Sequence, residues 1–166
     1  LILFAQCHTI ILINIKINNL VIAIIFCQMD RKNTGHCVSN NIGWHIEHIL
    51  LTINGVISSL AQSNPTNFSS QFSLLKNIVL LTNRIPRGKG RVPKVVKPQV
   101  AYTEDSLEQH IMATKEKISQ LELISEDHFF EHPYFGNMKK RPTVHFLEIH
   151  TKHHIKIIRE IVAAIK

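Results

Sequence analysis

The stretch NNIGWHIEHILLTINGVISSL restricts the fold more than any other part of the chain. Ile42, Ile46, Ile49, Ile53, Ile57 and Leu60 recur every three or four positions. That spacing lays side chains along one stripe of an α-helix. Trp44, His48, Leu51 and Gly55 form a second stripe on the far side. The pattern predicts a helix from Asn41 to Leu60. A helix with two such stripes belongs at the centre of a domain, with neighbours packed around it.

Further helices follow from the same reasoning. FSSQFSLLKNIVLLTNRI predicts a shorter helix with Phe68, Phe72, Leu75 and Val79 on one side. In SLEQHIMATKEKISQLELI, Leu107, Ile111, Thr114, Ile118 and Leu121 make the stripe, opened by Thr103 or Asp105. Pro86, Pro93 and Pro98 are spaced so that no helix runs through the segment between these two. SEDHFFEHPYFGNMKKRP, broken by Pro133, Gly136 and Pro142, is expected to be a loop. A last helix is predicted from about Thr143 to the end. No alternating pattern of strands stands out. The expected class is all-α, a helical bundle with a long crossover connection between its second and third helices.

The last helix carries the strongest chemical signal. Leu147, His150, His154, Ile158, Ile161 and Ile165 share one face, while Lys152, Lys156, Arg159 and Glu160 lie opposite. Two imidazoles one turn apart in an aliphatic seam need partners, because an unpaired buried polar group costs ~1–3 kcal/mol. A divalent ion held jointly with His48 of the central helix would satisfy both. Three neutral imidazoles leave further positions open, as catalytic centres do, and Zn, Ni, Mn or Fe would suit them. His45 and His153 are additional ligand candidates or groups that support the ligands, though each lies beside a stripe, where a surface or rim role is commoner; His145 is expected to face solvent. The chain holds eleven histidines, so such pairs also arise by chance. His128 and His132 are spaced alike but fall in the expected loop. Glu47 and Glu148 neighbour the proposed ligands in sequence and point elsewhere on the helical wheel.

Charge and cysteine content narrow the function classes. Hydrophobic residues are 45% and charged residues 19%, enough for a sizeable core. Of the formal net charge of +7, a large part sits in one acid-free arm, RIPRGKGRVPKVVK, with Arg84, Arg87, Lys89, Arg91, Lys94 and Lys97. A local arm argues against a general nucleic-acid surface, and none is expected. Three cysteines with no C-x-x-C argue against a disulfide framework or a cysteine zinc knuckle and point to a reducing, cytoplasmic setting.

Residues 1–29 differ in kind, being rich in Ile, Leu and Asn with Lys16 as the sole charge. Asn14, Lys16, Asn18 and Asn19 interrupt the apolar run where a membrane span tolerates polarity least. A membrane association is expected only if this segment is a genuine anchor. The domain division is therefore an atypical segment, 1–38, which either supplies the first helix or is not a genuine part of the protein, followed by the bundle, 39–166.

Four segments, IGWHIEHILLTI, IPRGKGRVPKVVKP, FFEHPYFG and FLEIHTKHHIKII, in this order, resemble the DinB/YfiT-like superfamily of four-helix-bundle metalloproteins, in a branch of unknown function. The resemblance covers roughly Ser39 to the C-terminus, and residues 1–38 carry no recognisable first helix. It implies a DinB-like four-helix bundle with His48, His150 and His154 as metal ligands. It also implies a small-molecule substrate and a thiol S-transferase or hydrolase reaction, with a low-molecular-weight thiol as co-substrate. Arg87, Lys89 and Arg91 would then clamp an anionic group of that thiol. A homodimer is compatible with this reading. The alternative is a non-catalytic helical module with structural histidines, whose arm from Arg84 to Lys97 meets an anionic partner.

Overall fold

The computed structural model describes residues 39–88, 92–98 and 103–164. Among these, α1 spans Ser39–Gln62, α2 Leu74–Thr82, α3 Glu104–Ser119 and α4 Lys140–Ala164, with a hairpin of β1, Phe129–His132, and β2, Gly136–Lys139, before α4. The helical class read from periodicity is the class observed. Residues 1–38 lie outside the described residues, and with them both readings of that segment.

α1 is the central helix. It packs against α3 on one side and α4 on another. All six members of its first stripe are buried, from Ile42 to Leu60, and they interlock with Leu107, Ile111, Ile118 and Leu121 of α3 and its 3-10 extension. Val144, Leu147, Ile155 and Ile158 of α4 complete this core. The second stripe divides: His48 is buried, Trp44 and Leu51 are half-buried, and Gly55 is exposed. Neighbours therefore surround α1 at the histidine end but not at Gly55.

Two helix starts have a local side-chain cause. Thr103 and Ser106 form a reciprocal capping box on α3, each side chain accepting from the other's backbone N–H. Ser73 caps α2 by accepting from the Lys76 N–H at 3.2 Å. That cap starts the short helix at Leu74, six residues later than the apolar pattern suggests. Phe68 instead packs edge-on against Phe129, 5.6 Å between centroids, while Phe72 and Leu75 are exposed. Only Val79 of the expected stripe is buried. α4 begins at Lys140, so Pro142 lies within its first turn, where a missing N–H leaves no intrahelical bond unmade.

The expected loop before α4 is not a loop. It contains an antiparallel hairpin, with Phe130 opposite Met138 and His132 opposite Gly136. Four-residue strands are too short to display a period of two. Gly136, at φ +69°, turns the chain into β2. The hairpin's inner face joins Val79, Phe135, Phe146 and Ile149 in a second apolar cluster. His128 ties it to α1, donating from Nδ1 to the Leu60 carbonyl at 2.9 Å, and the Phe129 N–H donates to Ser63 Oγ at 3.0 Å. Lys140, buried, donates from Nζ to the Ile124 carbonyl at 2.6 Å.

Candidate metal centre

His48 from α1 and His150 and His154 from α4 converge. Their ring centroids are 5.0 Å (His48 to His150), 4.7 Å (His48 to His154) and 4.6 Å (His150 to His154) apart. One ligand nitrogen from each lies within 4.8 Å of the others, and all three side chains are buried. The α1–α4 interface produces this directly. The histidines occupy the stripe positions that face across it, one turn apart on α4. The three residues singled out from sequence are brought together.

Their environments differ in a useful way. The Nδ1 of His48 donates to the carbonyl of Val96 at 2.7 Å. Val96 ends a 3-10 turn, Lys94–Val96, in the connection between α2 and α3, and this turn packs on α1. The Nδ1 of His154 lies 2.9 Å from the Nδ1 of His45. The Nδ1 of His150 is buried with no hydrogen-bond partner among the described residues. Trp44 stacks on His48, 5.0 Å away and 20° from parallel, and meets His45 edge-on. Phe146, 5.7 Å from His150, closes another side, and His132 packs behind it against Phe135 and Phe146.

Burial dominates the electrostatics. Desolvation, reinforced by neighbouring imidazoles, pushes His45 down to about 4 and His150 and His154 well below the ordinary histidine range. Desolvation also lowers His48, against an upward pull from its bond to Val96. His153 is lowered by burial and by the nearby Arg87 guanidinium. The rings are neutral at pH 7 and offer lone pairs, the protonation state that ligation demands. A buried imidazole nitrogen without a partner, inside an all-nitrogen donor set, fits a borderline-soft divalent ion.

The other candidates are placed as follows. Arg87 holds Glu160 of α4 in a bidentate pair, 2.7 and 3.0 Å, so a carboxylate already fills its fork. Lys89 and Arg91 lie outside the described residues. His153 rests edge-on against His154, 5.1 Å between centroids, at the rim. His145 does not face solvent alone: its Nε2 pairs with Asn83 Oδ1 at 2.7 Å. Glu47 turns away from the histidines, as its wheel position implies, and its carboxylate meets His110 Nδ1 at 3.0 Å. His128 and His132 take no part in the centre. The Val96 carbonyl was not foreseeable, because a main-chain acceptor leaves no mark in the side-chain pattern.

No protein-family model, no curated protein and no solved structure matches this chain. None of the helices among the described residues is long and apolar enough to cross a membrane.

Proposed function

We propose that the chain is a metal-dependent enzyme of the DinB-like four-helix-bundle type, a thiol S-transferase or hydrolase acting on a small molecule. The observation that carries the metal reading is the convergence of His48, His150 and His154 with a partnerless His150 Nδ1. The reaction class rests on the resemblance of the four sequence segments. An ion held by these three rings would supply Lewis acidity toward a thiol or a water molecule.

The chain's own groups prepare the site. The Val96 carbonyl holds the His48 ring with its Nε2 lone pair free. Trp44, Phe146 and the surrounding aliphatic core limit water, which keeps the imidazoles neutral. Arg87 stands close enough to His153 to lower that ring's affinity for a proton. An anionic substrate group reaching the rim would compete with Glu160 for the same guanidinium fork.

Two measurements test this reading. Metal analysis of the purified protein is expected to show about one divalent ion per chain, lost in His150→Ala. Incubation with an electrophile and a low-molecular-weight thiol is expected to consume the electrophile only with metal-loaded protein. Retention of the ion in His150→Ala would overturn the ligand set. Metal uptake without thiol-dependent or hydrolytic turnover would favour the non-catalytic module. Binding of an anionic polymer that falls steeply with added salt would favour it further.

A further inference from the structure

We propose that His45 is a positioning residue for the metal centre, accepting the Nδ1–H of His154 and thereby presenting that ring's Nε2 lone pair to the ion. The inference rests on the metal reading above and extends it to a residue that is not itself a ligand.

A neutral imidazole carries one N–H and one lone pair, and a bond made by one nitrogen decides the role of the other. His48 is unambiguous. Its Nδ1 faces the Val96 carbonyl at 2.7 Å, and a carbonyl only accepts, so the proton is on Nδ1 and the lone pair on Nε2. His45 and His154 meet through their two Nδ1 atoms at 2.9 Å, a contact that holds one proton between two neutral rings. If His45 owned it, His154 would carry its hydrogen on Nε2 and would have no lone pair left to offer an ion. If His154 owns it, His154 takes the same tautomer as His48. Ligation by His154 therefore requires His45 to be the acceptor, with its own hydrogen on Nε2. That hydrogen removes His45 from the ligand set.

Two further observations fit. Trp44 braces His45, meeting it edge-on at 5.1 Å and 88°, while stacking on the ligand His48. His150 needs no such tether, because its own buried Nδ1 has no hydrogen-bond partner among the described residues and is the nitrogen the metal reading leaves for the ion. The centre thus has two rings preset through Nδ1, one by a main-chain carbonyl and one by an imidazole. Such partners of ligating histidines typically change metal affinity 10–100-fold when removed.

The test has two arms. In the metal-free protein, long-range proton–nitrogen correlation spectra of labelled histidines are expected to show His48 and His154 both as Nδ1–H tautomers. An Nε2–H tautomer for His154 would overturn the inference. The second arm is competition with a chelator for Zn²⁺, using wild type, His45→Ala and His45→Asn. Asparagine places an acceptor oxygen near the position of Nδ1. His45→Ala is expected to weaken binding about 10–100-fold, and His45→Asn to recover most of it, with thermal melts reporting that both variants fold. Wild-type affinity in His45→Ala, or equal losses in the two variants, would overturn the positioning role. A Co²⁺ spectrum that loses a nitrogen ligand in His45→Asn would make His45 a ligand and overturn it as well. A wild-type chain that takes up no ion defeats the metal reading itself, a result distinct from all of these.

Discussion

Trp44 and His48 lie face to face on adjacent turns of α1, 5.0 Å between ring centroids and 20° from parallel. Trp44 is the only tryptophan in the chain. Its emission therefore reports on one ligand of the centre. Titration with Ni²⁺, Co²⁺ or Cu²⁺ is expected to quench that emission to a saturable endpoint. His48→Ala is expected to remove the saturable part. Unchanged emission on titration, in a protein shown to bind the ion, would mean that the ion sits elsewhere.

His150→Leu separates the fold from the ion. In the metal-free protein the His150 Nδ1 is buried and without a partner. A buried unpaired polar atom costs about 1–3 kcal/mol, and an apolar side chain of similar size does not incur that cost. The metal-free variant is expected to melt above metal-free wild type by several degrees, at about 4 °C per kcal/mol. Added metal should raise the wild-type melting temperature by mass action and leave the variant unmoved. A variant that still gains stability from metal would remove His150 from the ligand set.

His132 gives the domain an acid sensitivity whose sign is fixed by burial. Desolvation against Phe135 and Phe146 pushes its pKa down from the ordinary 6.5 to about 4. The unfolded chain then binds the proton more readily than the folded one between these values. The stability contributed by neutral His132 is complete above pH 6.5 and is lost progressively as the pH falls toward 4. His132 Nδ1 also accepts from the Tyr134 and Phe135 N–H groups. His132→Asn keeps an acceptor there and cannot titrate. Thermal melts at pH 7 and pH 5 are expected to differ less in the variant than in wild type. An equal difference would assign the acid sensitivity to the other buried histidines.

Gly136→Ala tests the hairpin. Gly136 has φ +69°, and a Cβ at that position would collide with the Oε1 of Gln71 and crowd its Cδ at 3.1 Å and Cβ at 3.2 Å. The left-handed backbone alone costs an alanine about 1–2 kcal/mol. A loss of at least that size is expected in urea denaturation, with an unchanged slope. A neutral result would mean that β1 and β2 can turn without a left-handed residue.

Much of the helical frame was legible in the sequence because each long helix buries one continuous stripe. The α3 stripe, from Leu107 to Leu121, is buried at every position. On α4, Leu147, His150, His154 and Ile158 are buried and Ile161 is partly so, while Lys152, Lys156, Arg159 and Glu160 are exposed. The three-histidine set was legible in part: His150 and His154 lie on the buried stripe of α4, whereas His48 lies on the second stripe of α1, of which Leu51 and Gly55 are not buried. The hairpin was hidden by strands of four residues and by prolines and glycine that also suit a loop. Periodicity also misplaced the start of α2. The serine cap at Ser73 starts the helix after the apolar Phe68, which packs on Phe129, and Phe72, which is exposed. The bearing of the turn Lys94–Val96 on the site was illegible for a different reason: it acts through a peptide carbonyl.

That contact has an evolutionary consequence. Since Val96 holds His48 through the peptide group every amino acid possesses, the hydrogen bond itself does not depend on which side chain stands there, so long as that side chain fits the half-buried place against α1. What selection must preserve is the path of the segment, through features such as Pro93 and the short 3-10 turn that follows it. Relatives aligned letter by letter would show variability at position 96 and suggest that it is dispensable. Inserting or deleting one residue between Pro93 and Val96 would expose the opposite.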